Sequence, residues 1–290
     1  MKVDFVDFSG NERNPNRLAE RYKRIIAANI DHIKGKSILD LASNNGRWSY
    51  AACAAEAARV QGIEGRLEEV QIAEKLIAKY DYTNKCSFEM GDIYDWLFSN
   101  QDKRYDTVFC LGIYYHVLDH YMLLRLMARL QPECIIIDSG FVRTFDIMTH
   151  IHFEDPARHL NALPAYPDQK SELVGSISLG MMLQMAWNCG YSCEPVIWDP
   201  KEVEDKSAVQ DYMSGRRFTL RLIKTEYHND PDWMLKWKKA LTVLAPRFEY
   251  LFNDEKKNFG VDNRAKVRDF STQKDIPPND IPPTVLARKA

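Results

Sequence analysis

Short runs rich in apolar residues alternate along the chain with longer segments whose apolar residues recur every three or four positions. The runs lie at residues 37–40, 59–64, 86–90, 105–112 and 133–138. Near-continuous apolar runs are typical of strands buried on both faces, and apolar residues at helical spacing are typical of amphipathic helices. Five strands that alternate with helices within about 100 residues predict an α/β fold with a doubly wound, mostly parallel sheet.

The segments around these strands extend the pattern. Residues 17–33 predict an amphipathic helix ahead of the sheet, and residues 178–189 predict a helix after it. Residues 192–198 and 217–224 predict two closing strands. Residues 139–175 show no clean period and collect three histidines and several aromatic residues. An irregular insertion of this length after the fifth strand is typical of a binding lid.

These features divide the chain into three parts. We expect an N-terminal helical extension at residues 1–35 and a main domain at residues 36–228, with the lid insertion at about residues 139–177. Residues 229–290 predict a C-terminal helix followed by a proline-rich tail, in which proline favours an extended backbone.

The overall composition narrows the class of protein. With 290 residues, 45% of them hydrophobic, the chain can bury one large core or two modest ones. A net charge of −2 provides no general attraction for nucleic acid, although residues 231–290 carry 12 Lys and Arg against 8 Asp and Glu. The six cysteines are scattered, as reduced thiols are. Because neither a signal-peptide pattern nor a run of 18 apolar residues is present, we expect a cytoplasmic protein without a membrane partner.

The segment after the first run predicts a tight loop that approaches a ligand. Asp40 ends the strand, residues 41–46 read Leu-Ala-Ser-Asn-Asn-Gly, and an alanine-rich helical segment follows at 50–58. Small residues let main-chain N–H groups face a ligand, and Asn44 and Asn45 tolerate the left-handed backbone that glycine usually adopts. Open α/β sheets bind ligands at the carboxyl ends of their strands, which is where Asp40 lies.

This loop resembles the first motif of the class I S-adenosylmethionine-dependent methyltransferases, which reads Asp-x-Gly-x-Gly-x-Gly. In this chain the motif begins at Asp40, Ala42 and Asn44 replace two of the glycines, and Gly46 keeps the third. The resemblance extends over roughly residues 36–140. It implies a Rossmann-like methyltransferase fold, with a seven-stranded sheet closed by an antiparallel pair of strands, and S-adenosyl-L-methionine as the cofactor.

Acids at the ends of the next two strands complete the predicted cofactor site. Glu64 ends the second run, and the geometry of a βαβ unit places its carboxylate where it can accept both ribose hydroxyls. The resemblance implies that Asp92 holds the adenine amino group and that Ile93 packs against the ring. The predicted cofactor-binding residues are Asp40, Ala42, Ser43, Asn44, Gly46, Trp48, Glu64, Asp92, Ile93 and Leu111.

Three residues after the fourth run are the candidates for catalysis. Tyr114, Tyr115 and His116 follow the strand that ends at Gly112, close to where the resemblance places the reacting methyl group. His116 is the candidate base because the ordinary pKa of histidine lies near neutrality. A structural histidine that bonds the backbone at the turn is an equally good interpretation. The two tyrosines also suit packing or substrate stacking.

Three alternatives stay open. His150, His152 and Glu154, or His116 with the histidine four residues later, have the spacing of metal ligands, but histidines in irregular lids often form hydrogen bonds, and we predict no metal. Residues 111–116 also resemble a segment of the bacterial wobble-uridine tRNA carboxymethyltransferases, which use carboxylated S-adenosylmethionine. The two replaced glycines suggest a non-catalytic S-adenosylmethionine-binding subunit.

The function predicted from the sequence is transfer of a methyl group from S-adenosylmethionine to an unidentified small or medium-sized acceptor, which enters through the lid. The residues do not indicate whether oxygen, nitrogen or carbon is methylated. We expect a small-molecule acceptor rather than nucleic acid, and a homo-oligomer formed through the C-terminal segment.

Overall fold

The computed structural model describes Phe5, residues 15–225 and residues 236–238. The strands are β1 (Ser37–Leu41), β2 (Arg59–Glu64), β3 (Cys86–Met90), β4 (Thr107–Leu111), β5 (Cys134–Gly140), β6 (Thr149–Glu154), β7 (Glu172–Ile177), β8 (Tyr191–Pro195) and β9 (Arg217–Lys224). Seven of them form one sheet in the order β3-β2-β1-β4-β5-β9-β8, and β6 pairs with β7 in a second sheet. The predicted seven-stranded, mostly parallel, doubly wound sheet is confirmed.

The strand order creates a crevice at the centre of the main sheet. Strands β1 to β5 are mutually parallel, with β2 and β3 on one side of β1 and β4 and β5 on the other. Strand β9 runs antiparallel to both β5 and β8, which confirms the predicted closing pair. Because the chain changes direction across the sheet between β1 and β4, loops leaving their carboxyl ends diverge and leave room for a ligand.

Helices accompany the strands along the chain. They are α1 (Pro15–Ile25), α2 (Arg47–Ala54), α3 (Leu67–Lys79), α4 (Ile93–Ser99), α5 (His120–Arg129), α6 (Leu179–Asn188) and the short α7 (Gln210–Met213). The central strands are buried apart from one terminal residue each of β1 and β5, and the side chains of Leu39, Val108 and Ile136 are completely inaccessible to solvent. This burial explains why β1, β4 and β5 are so apolar in sequence.

The N-terminal helix differs from the prediction of one helix at residues 17–33. Helix α1 ends at Ile25, and a 3₁₀ helix follows at Ala27–His32. The cause is the buried Asn29, whose side-chain amide donates to the carbonyl oxygens of Arg24 and Ile25 at 3.0 and 2.9 Å. A side chain that satisfies the last carbonyls of a helix competes with its continuation.

The lid also differs from the irregular segment that was predicted. Strands β6 and β7 form an antiparallel hairpin whose register runs from the pair Thr149–Ile177 to the pair Glu154–Glu172. The hairpin is tied to the loop after β4, because the Gly175 N–H donates to the Val117 carbonyl oxygen at 3.0 Å.

Most of the predicted C-terminal helix and tail at residues 229–290 lies outside the described residues. Residues 236–238 are helical, and Trp237 is fully buried, with its indole N–H donating to the Cys193 carbonyl oxygen at 3.1 Å. Within the described part of the chain, no helix has the length and apolar character needed to cross a membrane.

Candidate functional site

The loop between β1 and α2 has a left-handed backbone at every second residue. The φ angles are 53° at Ala42, 51° at Asn44 and 76° at Gly46. These are the three positions that the resembled motif gives to glycine. Asn45, which also tolerates this conformation, does not adopt it. The replaced glycines therefore leave the shape of the loop intact.

Close packing beneath the loop favours glycine at positions 46 and 62. A Cβ atom on Gly46 would lie 2.8 Å from the Phe88 ring and 2.9 Å from the Ala73 Cβ. A Cβ on Gly62 would lie 2.4 Å from the same ring and 2.8 Å from the Ser43 hydroxyl oxygen. The loop can therefore pack against Phe88 and Ala73, and β2 against the loop, only because positions 46 and 62 lack side chains.

Glu64 closes the loop from the end of β2. Its side chain is 3% exposed, and its two oxygens each accept one backbone N–H at 2.9 Å, from Asn44 and from Arg66. An ionised carboxylate offers about four acceptor sites. Glu64 thus keeps further acceptor capacity while it orders the loop.

Asp40 lies beneath the loop. It is 1% exposed, and the Ser49 hydroxyl at the start of α2 donates to its Oδ2 at 2.7 Å. Burial, with a smaller contribution from the charge of Glu64, raises the pKa of Asp40 to about 7. Asp40 therefore fastens strand to helix.

Asp92 and Ile93 begin α4 at the end of β3. The exposed Asp92 caps the helix, because its Oδ1 accepts the N–H groups of Tyr94 and Asp95 at 2.8 and 3.1 Å. Within the described part of the chain its Oδ2 makes no hydrogen bond. Ile93 is buried beside it, with 8% of its surface exposed.

These elements surround a cavity of about 630 Å³. Ten of the thirteen predicted site residues line it: Ala42, Ser43, Asn44, Trp48, Glu64, Asp92, Ile93, Leu111, Tyr115 and His116. Asp40, Gly46 and Tyr114 do not. Asp40 lies on β1, Gly46 packs against Phe88 and Ala73, and the Tyr114 hydroxyl donates to the His120 carbonyl oxygen at 2.8 Å, so their direct contact with a ligand stays a prediction.

His116 is joined to a residue of the lid. Its Nδ1 lies 2.9 and 2.7 Å from the two carboxylate oxygens of Glu154 on β6. Burial lowers the pKa of His116, although the hydrogen bond and charge of Glu154 act in the opposite direction. Sequence reasoning had weighed Glu154 only as a metal ligand. The separation of 38 positions hides this pair in the sequence.

A buried ionic cluster at the end of β5 was missed by the sequence analysis. Asp138 accepts from Arg217 Nε at 2.6 Å, Arg21 Nη2 at 3.1 Å and the hydroxyls of Tyr212 and Thr219 at 2.8 and 2.7 Å. Burial alone would raise its pKa, but the two guanidinium groups and the hydroxyl donors hold the pKa at about 2. Both arginines also line the cavity.

The loop between β6 and β7 covers the cavity next to Glu64. The Arg66 guanidinium donates to the Asn161 carbonyl oxygen at 2.5 Å, and His159 Nε2 lies 2.7 Å from a carboxylate oxygen of the buried Glu69. Leu163 packs so closely that a Cβ on Gly65 would lie 2.2 Å from it. The β6–β7 hairpin therefore covers the cavity on the side of Glu64 and the loop between β1 and α2.

One of the histidines considered as metal ligands bonds to the backbone of the lid hairpin. His120 is buried and its Nε2 lies 2.9 Å from the Gly175 carbonyl oxygen. Across the described residues, no group of three or more His, Cys, Asp or Glu side chains has an arrangement that could hold a metal ion.

The comparisons with known proteins agree with this architecture. A family model described as a methyltransferase domain matches residues 32–175. The N-terminal domain of EvdMO1, solved in the presence of SAH and D-fucose, is 19% identical over 74% of this chain and 84% of that chain, with a TM-score of 0.53. The same domain with SAH bound has a TM-score of 0.51, with 19% identity over 74% of this chain and 82% of that chain.

A third solved structure is magnesium protoporphyrin IX methyltransferase from Synechocystis PCC 6803 with bound SAH, which is 14% identical over 78% of this chain and 90% of that chain, with a TM-score of 0.49. No curated protein matches the chain in sequence. The matched residues include the first loop, Glu64, Asp92 and His116. They also include β1 to β5, the parallel strands of the main sheet. Residues 32–175 therefore form a methyltransferase domain, and the resemblance to the class I S-adenosylmethionine-dependent methyltransferases is confirmed.

Proposed function

We propose that the cavity binds S-adenosylmethionine against the carboxyl ends of β1, β2 and β3, and that a small or medium-sized acceptor enters beneath the lid. The observation that carries the proposal is Glu64, a buried carboxylate that is already ordered by two backbone donors and still faces the cavity. A carboxylate at the end of the second strand of a βαβ unit is placed to accept the two hydroxyls of a ribose.

The residues present fit such a donor. Asp92 lines the same cavity with one carboxylate oxygen not used by the helix cap, and Ile93 offers an apolar surface next to it, as an adenine ring requires. The left-handed loop brings the backbone of Ala42 and Asn44 to the cavity wall. The hydroxyl oxygen of the buried Ser43 makes no hydrogen bond within the described residues. The volume of about 630 Å³ is in the usual range of roughly 300–1,000 Å³ for ligand sites.

The acceptor side of the cavity follows from the remaining walls. Leu160, Leu163 and Pro164 of the lid and Leu118 of the loop after β4 provide an apolar surface. Tyr115 and His116 lie on the same loop after β4. When bound, the donor supplies an electrophilic methyl group on a sulfonium ion. The protein holds the acceptor in line with it, and His116 removes a proton if the acceptor carries one.

Calorimetric titration with S-adenosylmethionine and S-adenosylhomocysteine tests the donor site. We expect Glu64→Gln to weaken binding of both at least about tenfold, because hydrogen bonds to a charged group contribute about 1.5–3 kcal/mol each. Glu89→Gln is the matched control, since Glu89 lies on the neighbouring strand and is exposed. It should leave the dissociation constant unchanged.

Thermal unfolding of the same variants separates binding from folding, because Glu64 also orders the loop backbone. If neither ligand binds to the unmodified protein, or if Glu64→Gln and Glu89→Gln bind equally well, the proposed site is wrong. A screen of metabolite extracts with a methyl-labelled donor then identifies the acceptor.

A further inference from the structure

The pairing of His116 with Glu154 fixes which ring nitrogen carries a proton. Glu154 presents both carboxylate oxygens to Nδ1 at 2.9 and 2.7 Å. Because an ionised carboxylate only accepts hydrogen bonds, Nδ1 is the protonated nitrogen of the neutral ring. The other nitrogen, Nε2, then carries the lone pair, and it makes no hydrogen bond within the described residues.

Glu154 is itself held by the lid. The Ala162 N–H donates to its Oε2 at 2.9 Å, and the side chains of His116 and Glu154 are only 11% and 12% exposed. Ala162 also lines the cavity, between the two lid leucines at positions 160 and 163. The carboxylate therefore receives one hydrogen bond from the body of the protein and one from the covering loop.

Other charged and aromatic groups complete the surroundings of His116. His152 of β6 places its Nε2 3.9 Å from Glu154 Oε1. The charges of Arg217 and Arg66 disfavour protonation of His116. The Tyr115 ring lies with its centroid 4.2 Å from that of His116. Glu154 is the anionic group in direct contact with the imidazole, and it therefore determines the orientation of the ring.

We propose that Glu154 is a positioning residue for methyl transfer: it locks His116 in the tautomer whose Nε2 accepts a proton from the acceptor, and it does so only when the lid lies over the cavity. The proposal rests on the function proposed above and narrows the acceptor to a molecule with an X–H bond to lose, such as a hydroxyl. An acceptor that is methylated without losing a proton does not need His116 to act as a base.

The proton and electron balance follows directly. The acceptor X–H proton passes to His116 Nε2, and the electron pair of that bond forms the new bond to the methyl carbon. The methyl–sulfur bond breaks with its pair going to sulfur. His116 becomes an imidazolium, whose charge Glu154 balances at 2.7 Å. Water then removes the proton after product leaves.

Nitrogen-detected NMR of ¹⁵N-histidine-labelled protein tests the proposal without knowledge of the acceptor. His116 is one of seven histidines, and its signals are assigned by their loss in His116→Gln. We expect a neutral His116 with the proton on Nδ1 in the wild type. In Glu154→Gln we expect its titration to move to lower pH and the Nε2–H tautomer to gain population, since an amide also donates hydrogen bonds. Asp155→Asn, at an exposed neighbouring acid, is the control and should change neither property.

Two results overturn the proposal. One is a wild-type spectrum with the proton on Nε2, which decides the matter even if Glu154→Gln does not fold. The other is an unchanged tautomer and titration in Glu154→Gln. Failure of donor binding in the calorimetric titration contradicts the proposed function instead, so the two failures are distinguishable.

Once an acceptor is known, Glu154→Gln should lower kcat at pH 7 at least about tenfold and change KM by no more than about threefold. A fall in kcat is expected because a histidine base that loses its orienting carboxylate is no longer held in the productive tautomer. The acidic limb of its pH–rate profile should lie at lower pH than in the wild type. If kcat falls together with the unfolding temperature and the pH–rate profile does not shift, Glu154 has only a structural role.

Discussion

Two aspartates at the carboxyl ends of strands in the same sheet occupy opposite electrostatic environments. Asp40 on β1 and Asp138 on β5 are 1% and 0% exposed. Asp40 accepts a hydrogen bond from the Ser49 hydroxyl and its pKa is raised to about 7 by burial. Asp138 contacts Arg21 and Arg217, and its pKa is held at about 2.

The comparison shows that burial alone does not decide the charge of a carboxyl group. Loss of water disfavours both carboxylates, and the two guanidinium groups with the hydroxyl donors around Asp138 reverse the effect there. The consequences differ accordingly. Asp138 is the centre of an ionic cluster that connects α1, β5 and β9, whereas Asp40 is about half protonated at pH 7 and joins β1 to α2 through a hydrogen bond.

The largest expected effect on stability comes from removing the charge at the centre of the ionic cluster around Asp138. Asp138→Asn should lower the free energy of unfolding by about 3–5 kcal/mol, because it leaves two buried guanidinium groups without their carboxylate. Urea denaturation at pH 7 measures the change. Asp102→Asn, at an exposed aspartate, should stay within about 0.5 kcal/mol of the wild type.

The pH dependence of that difference has a definite sign. Asp138 has a lower pKa in the folded protein than in the unfolded chain, so its stabilisation is fully present above about pH 4 and is lost as the pH falls toward 2. The difference between wild type and Asp138→Asn should therefore shrink below pH 4. A difference that is constant with pH would contradict an ionised Asp138.

The pH dependence of stability caused by Asp40 should have the opposite sign to that caused by Asp138. The folded-state pKa of Asp40, about 7, lies above the unfolded value near 3.9, so the unfolded chain gives up its proton first and the wild type loses stability as the pH rises from 4 to 7. Asparagine retains an acceptor for the Ser49 hydroxyl and does not ionise. The stability of Asp40→Asn relative to wild type should therefore increase by on the order of 2 kcal/mol between pH 5 and pH 8.

Unfolding curves at pH 5, 6, 7 and 8 measure this increase, and Ser49→Ala serves as a companion variant that keeps the ionisable group. A relative stability of Asp40→Asn that does not change over this range would mean that Asp40 stays ionised, and the contrast with Asp138 would disappear.

The sheet was predictable from sequence because its strands are buried on both faces. The bounds of β2, β3 and β9 agree with the runs at residues 59–64, 86–90 and 217–224. The loop after β1 was predictable as well, since its small residues lie at the positions where the backbone is left-handed. Ala42 was recognised there only through the family motif, because alanine itself disfavours that conformation.

The lid hairpin was missed because its apolar pattern is inverted. In β6 the apolar Ile151 and Phe153 are 52% and 74% exposed, while the intervening His152 and Glu154 face inward. The inward side of β6 carries polar residues such as Glu154, which pairs with His116, so the strand does not show apolar residues on its inner face. Arg21, Asp138 and Arg217 were missed for another reason: they lie 117 and 79 positions apart, and only the fold brings them together.

The smallest expected effect on the free energy of unfolding comes from the backbone conformation of the residues after each aspartate. Asp138 is followed by extended strand residues, whereas Asp40 is followed two residues later by Ala42 with φ 53°. A left-handed non-glycine residue costs about 1–2 kcal/mol, and glycine gives back about 0.4–1 kcal/mol through the greater entropy of the unfolded chain. Ala42→Gly should therefore raise the free energy of unfolding by roughly 0.5–1 kcal/mol.

Ala52→Gly is the matched control, because Ala52 is fully buried in α2 with a helical backbone, where glycine destabilises by about 1 kcal/mol relative to alanine. Urea denaturation of both variants, with donor titration alongside, separates strain from binding. If both substitutions destabilise the protein, the loop after Asp40 stores no strain, and the two strand ends differ in charge alone. If only Ala42→Gly stabilises it, the ligand-facing loop has kept a strained residue that the Asp138 end of the sheet does not have.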